Sequence, residues 1–171
     1  MKSLAFSIAL FFSVSTAFSQ AAEGKKEDGL VWHTNLKETQ EISNKTNKPI
    51  FAFFTGSDWC GWCHKLQRDV FAKPEFVSWA KKNVVLLELD FPRGKQLTPE
   101  LVQQNNALQQ QFGVTGYPTI WMFKLGKGNA ENNLSLTPLG SLGYPSNSEK
   151  GKEEVKFLES ANQILSNASK K

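Results

Sequence analysis

The chain has 171 residues, enough for one domain of ordinary size. Its 40% hydrophobic and 12% aromatic content excludes intrinsic disorder and predicts a packed core. The net charge of +4 is mild and spread along the sequence, which argues against a nucleic-acid partner, and Lys170 and Lys171 read as a solvated tail.

In chain order, residues 1–19 predict a cleaved signal peptide. Lys2 supplies the positive start, Leu4 to Val14 is mostly apolar, and Ala17-Phe18-Ser19 and Ser19-Gln20-Ala21 both fit a cleavage site near 19–21. The apolar stretch is too short, and too broken by serines, for a transmembrane helix. Removing it takes away Lys2 and no acid, so the mature net charge falls from +4 to +3. Export, to a periplasm or further, places the chain where disulfides persist. Residues 20–29 read as a flexible polar leader, and residues 30–168 as the folded domain.

Leu30-Val31-Trp32 reads as a short strand, Leu36 to Thr46 as a helix ended by Asn47-Lys48-Pro49, and Pro49 to Phe54 as a buried strand. His64 to Phe71 has helical spacing. Pro74 to Lys82 predicts a helix with Phe76, Val77 and Trp79 as its apolar residues, and Val84 to Leu89 a buried strand. A polar insert, Asp90 to Gln111, holds a helix opened by Thr98-Pro99-Glu100, with Leu101, Val102, Leu108 and Phe112 predicted to face inward. Thr119 to Phe123 reads as a strand, Gly126 to Asn133 as a turn and Leu134 to Leu139 as an edge strand. Glu153 to Leu165 reads as an amphipathic helix with Val155, Leu158, Ala161 and Leu165 on one face. Strands that alternate with helices early and pair as a hairpin late imply an α/β fold, a mixed sheet covered by helices.

Cys60 and Cys63 are the only cysteines, set as Cys60-Gly61-Trp62-Cys63 between a buried strand and a helix. Two thiols at this spacing can close and reopen one disulfide. Near a helix start, the dipole and free backbone N–H groups favour the thiolate, the form that attacks disulfides.

With Trp59 before the first cysteine, and with Gly116-Tyr117-Pro118-Thr119 before a later strand, the chain resembles the thioredoxin superfamily from about Leu30 to Ser166. Within it, the chain is similar to secreted bacterial thioredoxin-like proteins with a longer, helical insert before the proline. The resemblance implies that Cys60 is the attacking thiol and Cys63 the resolving one, and that Trp59 packs under the motif. Pro118 would be cis, lie against the disulfide and, with Tyr117 and Thr119, present a backbone edge to an extended substrate. Many thioredoxins carry a buried carboxylate six residues before the first cysteine; here that position is Phe54. Asp58 and His64 could modulate a cysteine pKa, and Glu88 or water could take the resolving proton. Gly61-Trp62 brings no charge between the cysteines, which argues for a reductant nearer roughly −270 mV than roughly −120 mV.

The expected activity is therefore thiol–disulfide exchange, reducing protein disulfides with electrons from a membrane or soluble donor. It needs no cofactor beyond the redox-active disulfide, no metal, and a monomer. The alternatives are a disulfide isomerase or oxidase, a non-catalytic binding module, and a metal chaperone using Cys60, Cys63, His64 and His33. Cys60-Gly61-Trp62-Cys63-His64 also satisfies the c-type haem motif, with Met122 or His33 as the opposite ligand. The insert at 91–111 reads either as a structural cover or as a specificity element, with Phe91, Pro92 and Arg93 as exposed contact candidates.

Overall fold

The computed structural model describes residues 24–127 and 134–170, so the expected signal peptide and most of the turn at 126–133 lie outside the described residues. Six strands form one sheet in the order β1-β2-β4-β3-β5-β6. They are β1 Lys25–Glu27, β2 Leu30–His33, β3 Ile50–Thr55, β4 Val85–Asp90, β5 Thr119–Lys127 and β6 Leu134–Leu142. Parallel pairing of β2 with β4 and of β4 with β3 needs crossover helices, whereas β5 and β6 pair antiparallel with their neighbours and close the far edge. The helices are α1 Leu36–Thr46, α2 Gly61–Leu66, α3 Pro74–Asn83, α4 Pro99–Gln111 and α5 Glu153–Ser169.

Strand β1 falls where the sequence predicts a flexible leader. Asp28 and Gly29 both take positive φ (50° and 76°), the geometry of a two-residue hairpin turn, and Lys25–Glu27 fold back onto Leu30–Trp32. The other elements form as expected, for identifiable reasons. Asn35 caps α1 by accepting the Glu38 N–H at 3.1 Å, and Asn47 ends it in the left-handed conformation. Pro74 and Pro99 open α3 and α4, where a missing N–H costs nothing.

Strand β3 is buried on both faces, so its period of two divides the core. Phe51 and Phe53 face one side and pack with Trp32, Phe71, Phe76 and Phe157, with ring centroids 4.7–6.2 Å apart. Both cysteines belong to this side. Ile50, Ala52 and Phe54 face the other side, with Leu87, Leu89, Leu108 and Phe112. Helix α2 runs on into one π-helical turn, Gln67–Phe71, whose Ala72 N–H reaches back to the Gln67 carbonyl at 2.8 Å. That turn drops Val70 and Phe71 into the aromatic core beneath the motif.

On each of two helices one residue predicted to face inward lies outside, while Leu108, Phe112, Leu158, Ala161 and Leu165 pack on the core as expected. In α4, Val102 is 43% exposed and the inward position belongs to Asn105, whose side-chain N–H reaches the Asp90 carbonyl at 2.9 Å. In α5, Val155 is 46% exposed, and Phe157 and Ala161 are buried. Buried Asn105 is tolerated because its polar group is paired. Phe157 displaces Val155 because the aromatic cluster has room for a ring.

Candidate active site

The C-terminal ends of β3 and β4 carry the site. After Thr55 the chain turns through Gly56–Trp59, with the Trp59 and Cys60 N–H groups both bonded to the Gly56 carbonyl (3.1 and 2.9 Å). The Trp59 indole lies so close over Gly56 that any Cβ there would sit 2.4 Å from it, so glycine is required. Cys60 is the N-cap of α2 and its sulfur accepts the Cys63 N–H at 3.2 Å. When the pair is reduced, that amide faces the Cys60 thiolate, which it favours.

Cys60 and Cys63 form a disulfide, S–S 2.09 Å. Cys63 is fully buried, and Cys60 keeps only 5% of its surface. Cys60 is thus the less buried of the pair, though less open than the sequence suggests, with aromatic side chains on both flanks.

On one flank, Trp59 is 37% exposed rather than packed beneath the motif as expected. Its indole N–H donates to the Phe91 carbonyl at 2.8 Å, which holds the ring outward across the start of the insert. Its ring meets Tyr117 edge-on at 5.8 Å, Tyr117 stacks on Phe91 at 5.2 Å, and the Arg93 guanidinium lies 3.9 Å above the indole. Asp58 accepts the N–H groups of Gly94 (2.6 Å) and Arg93 (3.0 Å), and these bonds hold its carboxyl below the usual carboxylate range. Asp58 therefore anchors the insert loop. The Tyr117–Pro118 peptide is cis, and Thr119 closes the turn through its hydroxyl to the Gly116 carbonyl at 2.7 Å.

On the other flank, Trp62 is 58% exposed and rests edge-on against Tyr144, 5.2 Å away. Tyr144 donates to Asp69 at 2.8 Å, and Lys65 bonds both partners. Burial pushes the Asp69 carboxyl upward, but the bonds from Lys65 and Tyr144 outweigh it and hold it low. Tyr144 lies 79 residues from Lys65 in sequence, and no local pattern announces the contact. His64 is exposed and its Nε2 is 2.8 Å from the Ser57 carbonyl. Ser57 in turn donates its N–H (2.8 Å) and hydroxyl (2.7 Å) to Asp90, a buried carboxylate that also pairs with Lys95 at 2.8 Å. No local pattern announces this Asp90 hub, whose partner Ser57 is 33 residues away.

Phe54, the position read as the missing carboxylate, points away from the cysteines into the opposite core, because strand alternation puts Phe53 on the cysteine side. Glu88 sits directly across from Phe53 on β4 and so shares that face. It is 6% exposed; burial pushes its carboxyl up, opposed by Lys25, whose Nζ is 3.8 Å away. The alternative ligand sets do not assemble. His33 is bonded to Glu38 at 3.2 Å at the end of β2, and Met122 is fully buried in the core. Among the described residues no group of three or more His, Cys, Asp or Glu is arranged to hold a metal ion. No described helix is long and apolar enough to cross a membrane.

A disulfide at the start of a helix, with its N-cap cysteine the less buried of the pair at the C-terminal end of the parallel strands, defines a thiol–disulfide oxidoreductase with a thioredoxin-like fold. The sequence matches the family described as a thioredoxin-like domain over residues 36–133, and the chain belongs to that family. It is 37% identical to the disulfide bond reductase DsbH of Chlamydia pneumoniae, over 68% of this chain and 69% of that one. It is 27% identical to the thioredoxin-related protein DsbJ of Chlamydia pneumoniae, over 94% of this chain but only 44% of DsbJ, so it spans less than half of that relative's length. The solved structure of a DsbH oxidoreductase superposes with a TM-score of 0.64 at 31% identity, covering 80% of this chain and 85% of that one.

Proposed function

We propose that the protein reduces disulfides of other proteins in the cell envelope, with Cys60 as nucleophile and Cys63 as resolving thiol. The observation that carries this reading is the asymmetry of the pair: Cys60, at the N-cap of α2, keeps 5% of its surface, and Cys63 keeps none. The Cys60 thiolate attacks one substrate sulfur, forming a mixed disulfide and releasing the other substrate sulfur as a thiolate. Cys63 then gives up its proton and attacks the Cys60 sulfur, which frees the second substrate thiol and leaves the Cys60–Cys63 disulfide. The substrate gains two electrons, and a dithiol donor, membrane-bound or soluble, must return them.

Trp59, Gly61 and Trp62 frame the nucleophile, and Tyr117, Pro118 and Thr119 supply the edge against which an extended substrate lies. Glu88 is the group assigned to receive the Cys63 proton, since a carboxyl pushed upward by burial on the cysteine face suits that task. Asp58 and His64 act by holding the loops around the motif. The reductive direction is supported by the uncharged Gly61-Trp62 pair and by the likeness to a protein described as a disulfide bond reductase. Residues 1–19 read as an export signal, which supports a periplasmic or secreted location.

The test is the equilibrium reduction potential of the Cys60–Cys63 pair in glutathione buffers. A value near roughly −270 mV supports a reductase, and one near roughly −120 mV reverses the direction.

A further inference from the structure

We propose that Arg93 selects substrates: its guanidinium takes a carboxylate from the segment flanking the cysteine of the target disulfide. The proposal rests on the oxidoreductase reading and adds the chemistry of the substrate to it.

Position comes first. Arg93 is exposed, and its guanidinium lies 3.9 Å above the indole of Trp59, the residue immediately before the nucleophile. A substrate whose sulfur meets Cys60 must pass its flanking residues across this ring.

Availability comes second. The other cations near the motif are already matched: Lys65 and Arg68 to Asp69, and Lys95 to Asp90. Among the described residues the Arg93 guanidinium has no carboxylate oxygen within 4.0 Å. Asp58, the acid beside it, directs its oxygens to the backbone N–H groups of Arg93 and Gly94, not to the guanidinium.

Preorganisation comes third. Trp59 fixes the Phe91 carbonyl and Asp58 fixes the next two amides, so the loop backbone is held before any substrate arrives. Stacking over an indole leaves the guanidinium edge free, and that edge matches a carboxylate bidentately. The net charge after loss of the export signal, which falls from +4 to +3, has the same sign and draws acidic segments toward it. Pro92 and Lys95, on either side of Arg93, line a groove of about 310 Å³ with Phe91, Leu97 and Val102, along which such a segment can continue.

The experiment uses the full chain and two synthetic peptide disulfides of one sequence, differing only in a Glu or a Lys two residues from each cysteine. The readout is the ratio of kcat/KM for the two peptides, which cancels any general change in activity. A small neutral disulfide, bis(2-hydroxyethyl) disulfide, is run beside them. We expect the unaltered protein to prefer the Glu peptide by about fivefold, the scale of an exposed charge pair, and the preference to shrink as salt rises. Arg93→Ala should bring the ratio to about one, Arg93→Glu should invert it, and Arg93→Lys should keep part of it. No preference in the unaltered protein, a preference that salt leaves intact, or one that survives Arg93→Ala overturns the proposal while reduction of the small disulfide stands. Failure to reduce even the small disulfide overturns the oxidoreductase reading, and this proposal with it. Arg93→Lys and Arg93→Glu keep the test decisive if Arg93→Ala fails to fold.

Discussion

The two flanks of the disulfide are built from similar parts to different ends. On the Trp59 side, the indole, Phe91 and Tyr117 are fastened mainly through backbone groups of the insert, and a cation is left unmatched. On the Trp62 side, Tyr144, Lys65 and Asp69 satisfy one another through side chains, and the charges close on themselves. A flank held by main chain can expose its side chains to a partner. A flank held by side chains has already spent them, and serves to steady α2 and the ring of Trp62.

The largest effect expected is on the sulfur that both flanks frame. Cys60→Ser should bring disulfide reduction to background with both flanks left in place, so tryptophan fluorescence should match that of the reduced parent. A fluorescence change as large as unfolding would mean that the disulfide, not the packing, holds the flanks. Next comes Phe71→Ala, which hollows the aromatic core under the Trp62 flank. It should cost about 3–5 kcal/mol in urea unfolding, because Phe71 is buried and meets Trp32, Phe51, Phe53, Phe76 and Phe157.

Glu88→Gln has a signed dependence on pH. Burial raises the Glu88 carboxyl in the folded chain, so the native state holds its proton more tightly than the unfolded one does. That contribution to stability is complete below the unfolded pKa and is lost as pH rises through the folded pKa. The Gln variant lacks this loss and should gain stability relative to the parent between acid and neutral pH. If Glu88 receives the Cys63 proton, the variant should also resolve mixed disulfides more slowly near neutrality. Equal resolution rates across pH would leave water as the acceptor. The smallest effect is expected for Tyr144→Phe. It removes one hydroxyl from the Trp62 flank and should cost about 0.5–1.5 kcal/mol, with acrylamide quenching of Trp62 increased and the Arg93-dependent peptide preference untouched.

Much of this was legible in the sequence because its causes are local. The Cys60-Gly61-Trp62-Cys63 motif, the apolar run of β3 and the Thr98-Pro99 helix start each carry their signal within a few residues. Strand β1 carried one too, Asp28-Gly29, but its polar residues read as a leader. Val102 and Val155 depart from their predicted inward places because counting apolar residues cannot foresee a buried Asn105 satisfied by the Asp90 carbonyl, or an aromatic cluster that takes in Phe157. The Trp62 flank was invisible for a related reason. Tyr144 reaches Asp69 and Lys65 only after β5, β6 and the following loop have been laid down. Trp59 turned outward because its partner, the Phe91 carbonyl, is 32 residues away.

The short strand β1 also acts as a seal. It covers the outer edge of β2, and Lys25 is the counter-ion that reaches buried Glu88. Trimming the chain to Leu30, where the composition alone would place the domain boundary, removes both at once. It would bare the unpaired edge of β2 beside Val31, already 41% exposed, and leave the Glu88 carboxylate without its cation. Such a trimmed protein should associate edge to edge, and more readily as rising pH ionises the buried Glu88 carboxyl, which size-exclusion chromatography across pH would read. Residues that look like spare leader are thus what covers the edge of this sheet.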